Sequence, residues 1–389
     1  MQPDRVKQQY ENFPYPPPLN DLDALVKRKQ VLASDPSVAW PQLWPEVRRQ
    51  NEALNILVAG CGTYQAAWIA INNPASKVVG IDISEKSLTH ENDLKARHSL
   101  SNLELKLLDI LDVGSLGTFD LVICTGVLHH TENPDASLKS LAGVLRPDGV
   151  LHGMVYASNR RAGVYLIQDV VRRLGLKQTK DDIRSLRQIL GQLPPHHYLH
   201  WFSKQSAAQA DDNDFVDTFM HSRDRAYSVE DTLALVEGAG LAFQGWEDNL
   251  FYYPDGAFSN STLLPMLQTL GERDCWSVMD DLLIVSARHS FLACHPERKS
   301  RLPDNSLRAS DWMTYRPFVH PGLVQDGNKI ARGGSTVTMD QQNHSLFKAI
   351  NGQRSIGDLI ETSGASADRA RSFIAMLWRF GHVFITHHR

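Results

Sequence analysis

The segment 55–65, which reads NILVAGCGTYQ, constrains the fold of this chain more than any other stretch. Its apolar run 56–58 suits a short strand that is covered on both faces. Gly60 and Gly62 follow at once, and glycine there permits a positive φ and lets a ligand approach bare backbone. Residues 66–70 are apolar or small and suit a buried helix. The segment therefore predicts a strand, a glycine turn and a helix in succession.

A second predicted strand over 77–83, KVVGIDI, carries Asp82 about 20 residues after the glycines, the spacing of nucleoside-binding βαβ units. A carboxylate at that point can accept from ribose hydroxyls, although Asp82 could instead cap the next helix. The turn is not a dinucleotide fingerprint, because G-x-G-x-x-G would need glycine at Gln65. The two segments together predict a nucleoside site without a pyrophosphate cradle.

Strand-like and helix-like segments alternate from residue 55 to about residue 156. The predicted strands are 55–59, 77–83, 103–108, 119–124 and 150–156, and the predicted helices between them are 65–72, 85–98 and 133–145. This order is typical of an α/β domain whose parallel sheet has helices on both faces. Ligands of such sheets bind at the carboxyl ends of the strands, beside the first strand.

The remaining segments predict further units around this sheet. Residues 1–50 form a leader in which aromatic residues and prolines interleave, which favours an extended path over 13–18. The sheet domain is predicted over 51–296, with an insertion at about 157–225 and two last strands at 242–246 and 288–294. A linker follows over 297–310. Residues 311–389 predict a small α+β, winged-helix-like module of three helices and a final strand.

Composition narrows the classes of protein. A length of 389 residues allows two to three domains, and 42% hydrophobic with 22% charged residues is ordinary for a globular chain. The net charge of −4 argues against a broad nucleic-acid surface. No apolar run reaches the ~18 residues of a membrane span, and the N-terminus lacks a signal-peptide core. Four scattered cysteines predict neither disulfides nor a metal site, so we expect a cytoplasmic protein.

The motif AGCGTYQ resembles the first motif of class I S-adenosylmethionine (SAM)-dependent methyltransferases, with Tyr64 at the family's usual third glycine. Asp82 matches the family's acidic residue after the second strand. The segments 107–112 (LLDILD), 119–130 (FDLVICTGVLHH) and 145–151 (LRPDGVL) match later motifs in the family's order. The resemblance implies a Rossmann-like, seven-stranded, mostly parallel sheet. It also implies that SAM is the cofactor and S-adenosylhomocysteine the product.

The same resemblance implies which residues contact the cofactor. Asp82 would bind the ribose hydroxyls, and Asp109 would accept from the adenine amine unless it is only a solvated loop acid. Cys61 is also interpreted as a small packing residue. The aromatic leader looks like the segment that closes over SAM in such enzymes. The full set of expected cofactor residues is Tyr10, Tyr15, Gly60, Cys61, Gly62, Gln65, Asp82, Ile83, Asp109, Ile110, Thr125 and Gly126.

His129 and His130 are the catalytic candidates, because a neutral imidazole can take a proton from an acceptor group. Methyl transfer needs little acid–base help, however, since its main demand is in-line approach of a desolvated nucleophile. Either histidine could therefore be a pocket wall. The segment 125–130 lacks the Asn/Asp-Pro-Pro-Tyr/Phe motif that family members use on nucleobase or glutamine amides. We therefore expect no nucleic-acid substrate.

Two further segments are candidates for substrate contact. The histidines within 196–200 have no nearby carboxylate or cysteine to complete a metal site, so a structural or substrate-facing role is expected, with His197 as the candidate. Arg223, Arg225 and Tyr227 lie in a region that can overhang the pocket in this family. The two arginines could bind a carboxylate bidentately or form structural salt bridges.

Three hypotheses about function remain open at this stage. The first is methyl transfer to an oxygen or nitrogen of a small, carboxylate-bearing metabolite. The second is a protein methyltransferase in which the C-terminal module docks the polypeptide. The third is a SAM-binding regulator without catalysis. We expect no metal and no membrane partner, and the C-terminal module could join copies of the chain into a homo-oligomer.

Overall fold

The computed structural model describes residues 4–27, 34–47, 51–199, 211–255, 258, 262–284 and 286–387. Its strands are β1 Asn55–Ala59, β2 Lys77–Asp82, β3 Leu103–Leu107, β4 Phe119–Thr125, β5 Leu145–Ala157, β6 Ala226–Tyr227, β7 Ala242–Trp246, β8 Arg288–Cys294, β9 Arg316–Val319, β10 Val324–Asp326, β11 Lys329–Arg332, β12 Ser335–Thr338 and β13 Val383–Thr386.

The α-helices of the described residues alternate with these strands and also fill the insertion. They are α1 Arg5–Asn12, α2 Asp23–Lys27, α3 Pro36–Leu43, α4 Gln65–Asn72, α5 Glu85–Arg97, α6 Pro134–Gly143, α7 Ser158–Leu174, α8 Lys180–Gly191, α9 Asp212–Phe219, α10 Val229–Gly238, α11 Leu263–Gln268, α12 Glu272–Leu283, α13 Pro296–Lys299, α14 Gln341–Ala349, α15 Ile356–Ser363 and α16 Ala367–Arg379. None of the described helices combines the length and the apolar character that crossing a bilayer requires.

The central sheet has the strand order β3-β2-β1-β4-β5-β8-β7, and β6 pairs with β5. The pairs from β3 to β5 are parallel, as is the pair of β5 and β6, whereas β7 and β8 run antiparallel. The Rossmann-like, mostly parallel α/β fold is therefore confirmed. Seven strands lie on the main path, and the two-residue β6 is an eighth strand that the sequence pattern did not predict.

Strand β5 is longer than the predicted strand at 150–156. It begins at Leu145, which pairs with Phe119 at the start of β4. The register then shifts between Phe119 and Leu121. The next pair joins Leu121 to Val150, so residues 146–149 of β5 lie between the two pairs. Helix α7 then begins at Ser158, directly after β5. The end of β5 and the start of α7 are thus held at the edge where the carboxyl ends of the strands lie.

The chain forms two compact units. The first comprises Met1–Gln30, Ala53–Leu241 and Ser286–Ser290. It holds β1 to β6, and the fully buried side chains of β1 and β4 lie in its core. Within the predicted insertion, α7, α8 and α9 pack on a core of their own. Its buried residues are Val164, Ile167, Val171, Ile183, Leu186, Leu190, Phe215, Val216, Phe219 and Met220.

The second unit comprises Val31–Glu52, Ala242–Val285 and Phe291–Arg389. The predicted leader 1–50 is therefore split, because residues 1–30 belong to the first unit and residues 31–50 to the second. The second unit also contains β7. Within the predicted linker 297–310, the Arg298 side chain is fully buried. Its guanidinium donates to Glu46 Oε1 at 2.6 Å and to Gln244 Oε1 at 2.7 Å, and also to the carbonyl oxygen of Leu43 at 2.6 Å. Three segments of the second unit meet at this one side chain.

The C-terminal part of the second unit is a small α+β arrangement, as the sequence predicts. Strands β10, β11 and β12 form an antiparallel sheet, and β13 pairs antiparallel with β9. Helices α14, α15 and α16 lie between β12 and β13 in the chain. Ser355 begins α15 with a capping box, because its hydroxyl accepts from the Asp358 N–H while the Asp358 carboxylate accepts from the Ser355 N–H.

Candidate functional site

The glycine turn after β1 is a stretch of bare backbone held by the end of β2. The N–H groups of Gly60 and Cys61 both donate to the carbonyl oxygen of Ile81, at 2.8 and 3.0 Å. Gly60 has φ of 70° and Gly62 has φ of 60°, which side chains rarely tolerate. A Cβ on Gly60 would also collide with the side chain of Val127. Cys61 is buried, and burial raises the pKa of its thiol, which fits the packing role.

Asp82 joins the end of β2 to this turn. Its Oδ2 accepts from the Gly62 N–H at 2.9 Å and its Oδ1 from the Ser84 N–H at 2.9 Å. The residue that caps α5 is Ser84, whose hydroxyl accepts from the Ser87 N–H, so capping is not the role of Asp82. Burial raises the pKa of Asp82 although these N–H bonds oppose it. Each carboxylate oxygen keeps a further lone pair for a ligand hydroxyl.

Glu91 on α5 supports the same turn and was missed by the sequence analysis. Its fully buried carboxylate accepts from the Ala66 N–H at 2.8 Å and from the Ala67 N–H at 2.9 Å, at the N-terminus of α4. Burial raises the pKa of Glu91 to about 8. The signal lay in its spacing, because Glu91 falls three residues from both Leu88 and Leu94 on the buried face of α5.

Gln65 and Thr125 lie together at the carboxyl ends of β1 and β4. The Gln65 Nε2 donates to the Thr125 Oγ1 at 3.0 Å, across motifs that are 60 residues apart. Gly126 follows with φ of 80°, and its N–H donates to the carbonyl oxygen of Met154 on β5 at 3.3 Å. These three predicted residues are therefore brought to one edge of the sheet.

The predicted adenine segment follows β3. Asp109 is exposed, and its Oδ1 accepts from the Leu111 N–H at 2.9 Å at the start of a short 3-10 helix. Ile110 is buried, and Ile83, after β2, is partly buried. Leu107 and Leu111 are 47% and 53% exposed, so two large apolar side chains lie open on either side of Asp109. An open apolar surface beside a carboxylate suits a purine ring with an exocyclic amine.

The leader lies against the glycine turn. The Thr63 Oγ1 donates to the carbonyl oxygen of Pro16 at 2.8 Å. A Cβ on Gly62 would meet the carbonyl oxygen of Tyr15 at 2.9 Å, so the leader backbone approaches the turn closely. The Glu85 N–H also donates to the Glu11 Oε1 at 2.7 Å. Burial raises the pKa of Tyr15 above its ordinary range.

The leader also contacts a buried polar group that we call the Asp217 cluster, comprising Tyr10, His130, Tyr156, Asp217 and His221. Asp217 lies on α9 and is 3% exposed. The Tyr10 hydroxyl lies 3.3 Å from its Oδ1, and the Tyr156 hydroxyl, at the end of β5, lies 3.4 Å from its Oδ2. Burial raises the pKa of Asp217 to about 7.

Two backbone contacts fix the ring protons of the cluster's histidines. The Arg223 N–H donates to the His221 Nδ1 at 3.0 Å, so neutral His221 carries its proton on Nε2, which lies 3.2 Å from the Tyr10 hydroxyl oxygen. His130 Nδ1 lies 2.8 Å from the carbonyl oxygen of Arg223 and therefore carries the proton. The two rings stack at 3.8 Å. Burial lowers the pKa of His130 to about 4 and that of His221 well below its ordinary value.

One cation borders the cluster and is already paired. The Arg161 guanidinium donates to the Asp224 Oδ2 at 2.8 Å, and Gln168 Nε2 donates to the same oxygen at 3.0 Å. The Arg161 guanidinium carbon also lies 3.5 Å from the ring centroid of Tyr156. Asp224 side-chain atoms are fully buried, so this ion pair is held out of water.

His129 lies beside this group. Its buried ring lies 3.9 Å from the Tyr156 ring and 4.1 Å from the His130 ring, and burial lowers its pKa well below the ordinary value. Both catalytic candidates are therefore neutral near pH 7. The carbonyl oxygen of His129 accepts from the Arg225 N–H at 3.1 Å, which ties this segment to the stretch before α10.

The side chains of the predicted substrate residues differ in their exposure to solvent. Arg223 is partly exposed, and its guanidinium lies 3.8 Å from the Asp4 carboxylate. Arg225 is exposed, with its guanidinium carbon 4.8 Å from the ring centroid of the buried Tyr227. His197 is exposed, and its Nδ1 accepts from the Leu199 N–H at 3.2 Å. The third histidine of that segment, His200, lies outside the described residues.

Ligand-type atoms of His130, Asp217 and His221 lie within 4.8 Å of one another. The His221 Nε2 carries a proton in the tautomer that its bond to Arg223 requires, so it has no lone pair for a cation. The arrangement is therefore that of an acid–base cluster. Asp217 and His221 escaped the sequence analysis, although their i, i+4 spacing beside the apolar Phe215, Val216 and Phe219 of α9 was a readable signal.

Comparison with known proteins supports the interpretation of the sheet. Residues 57–151 match the family model described as a methyltransferase domain. An uncharacterised protein of Synechococcus sp. is 31% identical over 291 residues, which cover 69% of this chain and 67% of that protein. The ubiquinone biosynthesis O-methyltransferase of Neisseria meningitidis is 26% identical over 29% of this chain and 48% of its own length.

A further relative and two solved structures extend the comparison. The tRNA U34 carboxymethyltransferase of Pseudoalteromonas translucida is 32% identical over 29% of this chain and 34% of its own length. PKMT2 from Rickettsia typhi has a similar fold, with a TM-score of 0.63 and 15% identity over 91% of this chain and 74% of that chain. Its complex with AdoHcy gives the same TM-score at 16% identity over 90% of this chain and 74% of that chain.

The glycine turn and the carboxylate at the end of β2 both lie within residues 57–151, which match the methyltransferase-domain model. The bare backbone at Gly60 and Gly62 and the acceptor lone pairs of Asp82 fit SAM. Residues 57–151 of this chain therefore form a domain of the class I SAM-dependent methyltransferases, and the cofactor of this domain is SAM.

Proposed function

We propose that this enzyme transfers a methyl group in line to an oxygen or nitrogen nucleophile of a small, carboxylate-bearing metabolite. The observation that carries this proposal is that the leader contacts both the glycine turn and the Asp217 cluster. Tyr15 lies against the glycine turn, where its carbonyl oxygen approaches Gly62, and Tyr10 reaches the Asp217 cluster five residues earlier. One segment therefore spans the distance from a cofactor-type turn to a buried group of proton donors and acceptors.

The roles within the cofactor site follow from the geometry described above. Asp82 accepts from the ribose hydroxyls with the lone pairs that its N–H bonds leave over, and Asp109 accepts from the adenine amine. Gly60, Cys61, Gly62 and Gly126 present backbone without side-chain obstruction. The other residues that we propose for cofactor contact are Tyr10, Tyr15, Gln65, Ile83, Ile110 and Thr125. When bound, SAM supplies a sulfonium methyl group, which is already a strong electrophile.

The protein's part in the transfer is then to position and desolvate the acceptor. His129 and His130 are neutral because burial lowers their pKa values, so they wall the pocket without adding charge. Arg223 and Arg225 precede α10 with their guanidinium groups at least partly exposed, which leaves donors for an acceptor carboxylate. Tyr227 and His197 complete the proposed acceptor contacts.

A transfer assay tests this function against the other two hypotheses. The full-length protein is incubated with SAM labelled on the methyl group and with a cell extract divided by size. The proposal expects label on small carboxylate-bearing molecules. Label confined to polypeptides would favour the protein methyltransferase, with the second unit as the docking element. Absence of transfer, with SAM binding intact by calorimetry, would favour the non-catalytic regulator.

Arg225→Gln provides a matched variant, because it removes the guanidinium and leaves the backbone N–H that donates to His129. The proposal expects a raised KM for the acceptor and an unchanged Kd for S-adenosylhomocysteine. Arg184→Gln is the control, since this arginine is exposed on α8 and pairs only with its neighbour Asp181 among the described residues. An equal effect of both substitutions on KM would contradict a carboxylate contact at Arg225.

A further inference from the structure

The Asp217 cluster and its border carry one negative charge in excess. Asp217 and Asp224 are the carboxylates, and Arg161 is the cation. Arg161 is committed to Asp224 at 2.8 Å, and no Lys or Arg nitrogen of the described residues lies within 4 Å of the Asp217 carboxylate. Burial holds His130 and His221 neutral. A buried carboxylate without a cation is costly, so it takes up either a proton or a positively charged ligand.

The groups around Asp217 are suited to a small cation. The two hydroxyls that reach its oxygens, from Tyr10 and Tyr156, are neutral donors and lie at the long distances of 3.3 and 3.4 Å. A charged donor would make shorter and stronger bonds to the same oxygens. The Tyr156 ring beside this carboxylate already holds the Arg161 guanidinium carbon 3.5 Å from its centroid, which is the attraction of a tyrosine face for a cation. A second anion, by contrast, would be repelled at this point.

We infer that Asp217 binds the primary ammonium group of the acceptor and takes its proton, so that the atom methylated by this enzyme is an amine nitrogen. The inference rests on the proposed methyl transfer and names its nucleophile. It places Asp217 as the catalytic base and Tyr10 and Tyr156 as positioning residues. A carboxylate elsewhere on the same molecule would still meet Arg223 and Arg225, so the acceptor would carry both charges.

The reaction balances with the groups that the cluster provides. One proton passes from the acceptor ammonium to an Asp217 oxygen, which frees the nitrogen lone pair. That lone pair forms the new bond to the methyl carbon, and the bond from this carbon to sulfur breaks with its electron pair on sulfur. The products are a secondary ammonium ion and S-adenosylhomocysteine. Asp217 then returns its proton to solvent, and no oxidant or reductant is needed.

The proton-accepting state of Asp217 depends on every charged or titratable group that faces it. Neutral His221 donates from Nε2 toward Tyr10, and Tyr10 donates to Asp217, so the cluster is poised to stabilise the ionised carboxylate. Burial raises the pKa of Asp217 to about 7, and Arg161 opposes that rise. The groups that act on Asp217 or on its direct partners include Tyr10, Tyr15, His130, Tyr156, Arg161, His221 and Asp224, together with Asp214, which acts on Tyr15, and Arg223, which acts on the two histidines.

Matched pairs of acceptors test the inference. The full-length enzyme is given labelled SAM with Nα-acetyl-lysine, n-butylamine, or the hydroxyl analogue of each, and the methylated atom is identified by mass spectrometry. The same identification is made on label transferred to a cell extract. We expect methyl groups on nitrogen only. Transfer to oxygen alone would overturn the inference and leave the proposed methyl transfer intact. Absence of transfer to any acceptor while SAM still binds would overturn both.

Substitution of the carboxylate gives the second test. Asp217→Asn should lower kcat/KM for the amine about 100-fold or more and remove the inflection that we expect near pH 7 in the wild-type pH profile. It should leave the Kd of S-adenosylhomocysteine unchanged. Asp212→Asn is the control, because Asp212 is exposed on the same helix and pairs with Arg187 at the surface. If Asp217→Asn weakens cofactor binding and spares the amine KM, Asp217 serves the cofactor and the inference is wrong.

Tyr10→Phe keeps the inference testable should the Asp217 variant fail to fold. It removes the hydroxyl that lies 3.3 Å from Asp217 and 3.2 Å from His221, while the carboxylate remains. We expect the pH inflection to move upward, because loss of a donor destabilises the ionised carboxylate. An inflection that stays in place would contradict the role of Asp217 as the base. Stoichiometric metal in the purified protein would also contradict it, since the cluster would then hold a metal ion.

Discussion

Asp82 accepts a hydrogen bond from the backbone N–H of Gly62 at 2.9 Å, so the acid that ends β2 also holds the glycine turn after β1. The two positions are 20 residues apart in the chain, and the parallel pairing of Ala59 with Ile81 brings them together. A single carboxylate therefore links the conformation of the turn to the lone pairs proposed for the ribose.

Asp82→Ala should weaken binding of S-adenosylhomocysteine by about 1.5–3 kcal/mol, because a hydrogen bond to a charged acceptor is lost. The Gly62 N–H loses its partner as well, so the turn should loosen. Calorimetry measures the affinity. Asp112→Ala serves as the control, since Asp112 is exposed in the short helix after β3. Unchanged affinity in the Asp82 variant would exclude Asp82 from the cofactor site.

The leader should become more protected when the product binds. Residues 6–20 already contact the turn through the bond from Thr63 to Pro16 and contact α9 through Tyr10. A ligand that fills the space beside Gly62 adds contacts to this segment and excludes water from it. Hydrogen exchange over residues 6–20 should therefore slow on addition of S-adenosylhomocysteine. Equal exchange with and without ligand would mean that the leader is only structural packing.

Much of the sheet could be predicted, because the sequence patterns that specify its strands, turns and helices lie within short segments. β1 and α4 lie where the apolar run and the glycines place them. The Asp217 cluster could not be predicted in the same way. Its members come from α1, the short 3-10 helix after β4, β5, α9 and the segment after α9, and only tertiary packing brings them together. The i, i+4 spacing of Asp217 and His221 is visible in the sequence, but no sequence pattern links this pair to Tyr10, His130 and Tyr156.

Arg298 shows the same limit at a domain boundary. The stretch 297–310 is polar and contains proline, which is typical of a linker, yet Arg298 is fully buried among groups from α3 and β7 within the second unit. Its partners lie 54 and about 250 positions earlier in the chain. Composition describes local solvent preference, and it carries no information on such distant pairing.

Stability should fall between pH 5 and pH 8 through Glu91. Its folded-state pKa of about 8 exceeds the ordinary value of 4.5, so the folded state binds a proton that the unfolded state has released. The stabilisation is complete below about pH 4.5 and is lost as pH rises to about 8. Buried His129, His130 and His221 titrate with the opposite sign because their pKa values are lowered, so the Glu91 contribution is measured as the difference in thermal midpoint between the wild type and a Glu91 variant.

Glu91→Gln removes that titration and should flatten the decline. The amide can accept from only one of the two N–H groups at the start of α4, so the variant should also lose about 1–3 kcal/mol at pH 5. Asp217 titrates with the same sign and remains in both proteins, so the difference between them isolates Glu91. An equal slope in wild type and variant would show that Glu91 is ionised throughout the range.

Arg298→Ala should destabilise the second unit by about 3–5 kcal/mol, the usual cost of removing one partner from a buried ion pair. The Glu46 carboxylate, whose side chain is 13% exposed, would keep its charge without a cation, and the carbonyl oxygen of Leu43 would lose its donor. Denaturant unfolding followed by tryptophan fluorescence reports on this region, because Trp40 and Trp44 are buried in the same unit.

Arg354→Ala, at an exposed position after α14, is the control and should change stability by less than about 0.5 kcal/mol. If both substitutions cost the same, the segment 297–310 acts as the linker that its composition indicates. The first unit should still bind S-adenosylhomocysteine in either variant, since none of its cofactor residues belongs to the second unit.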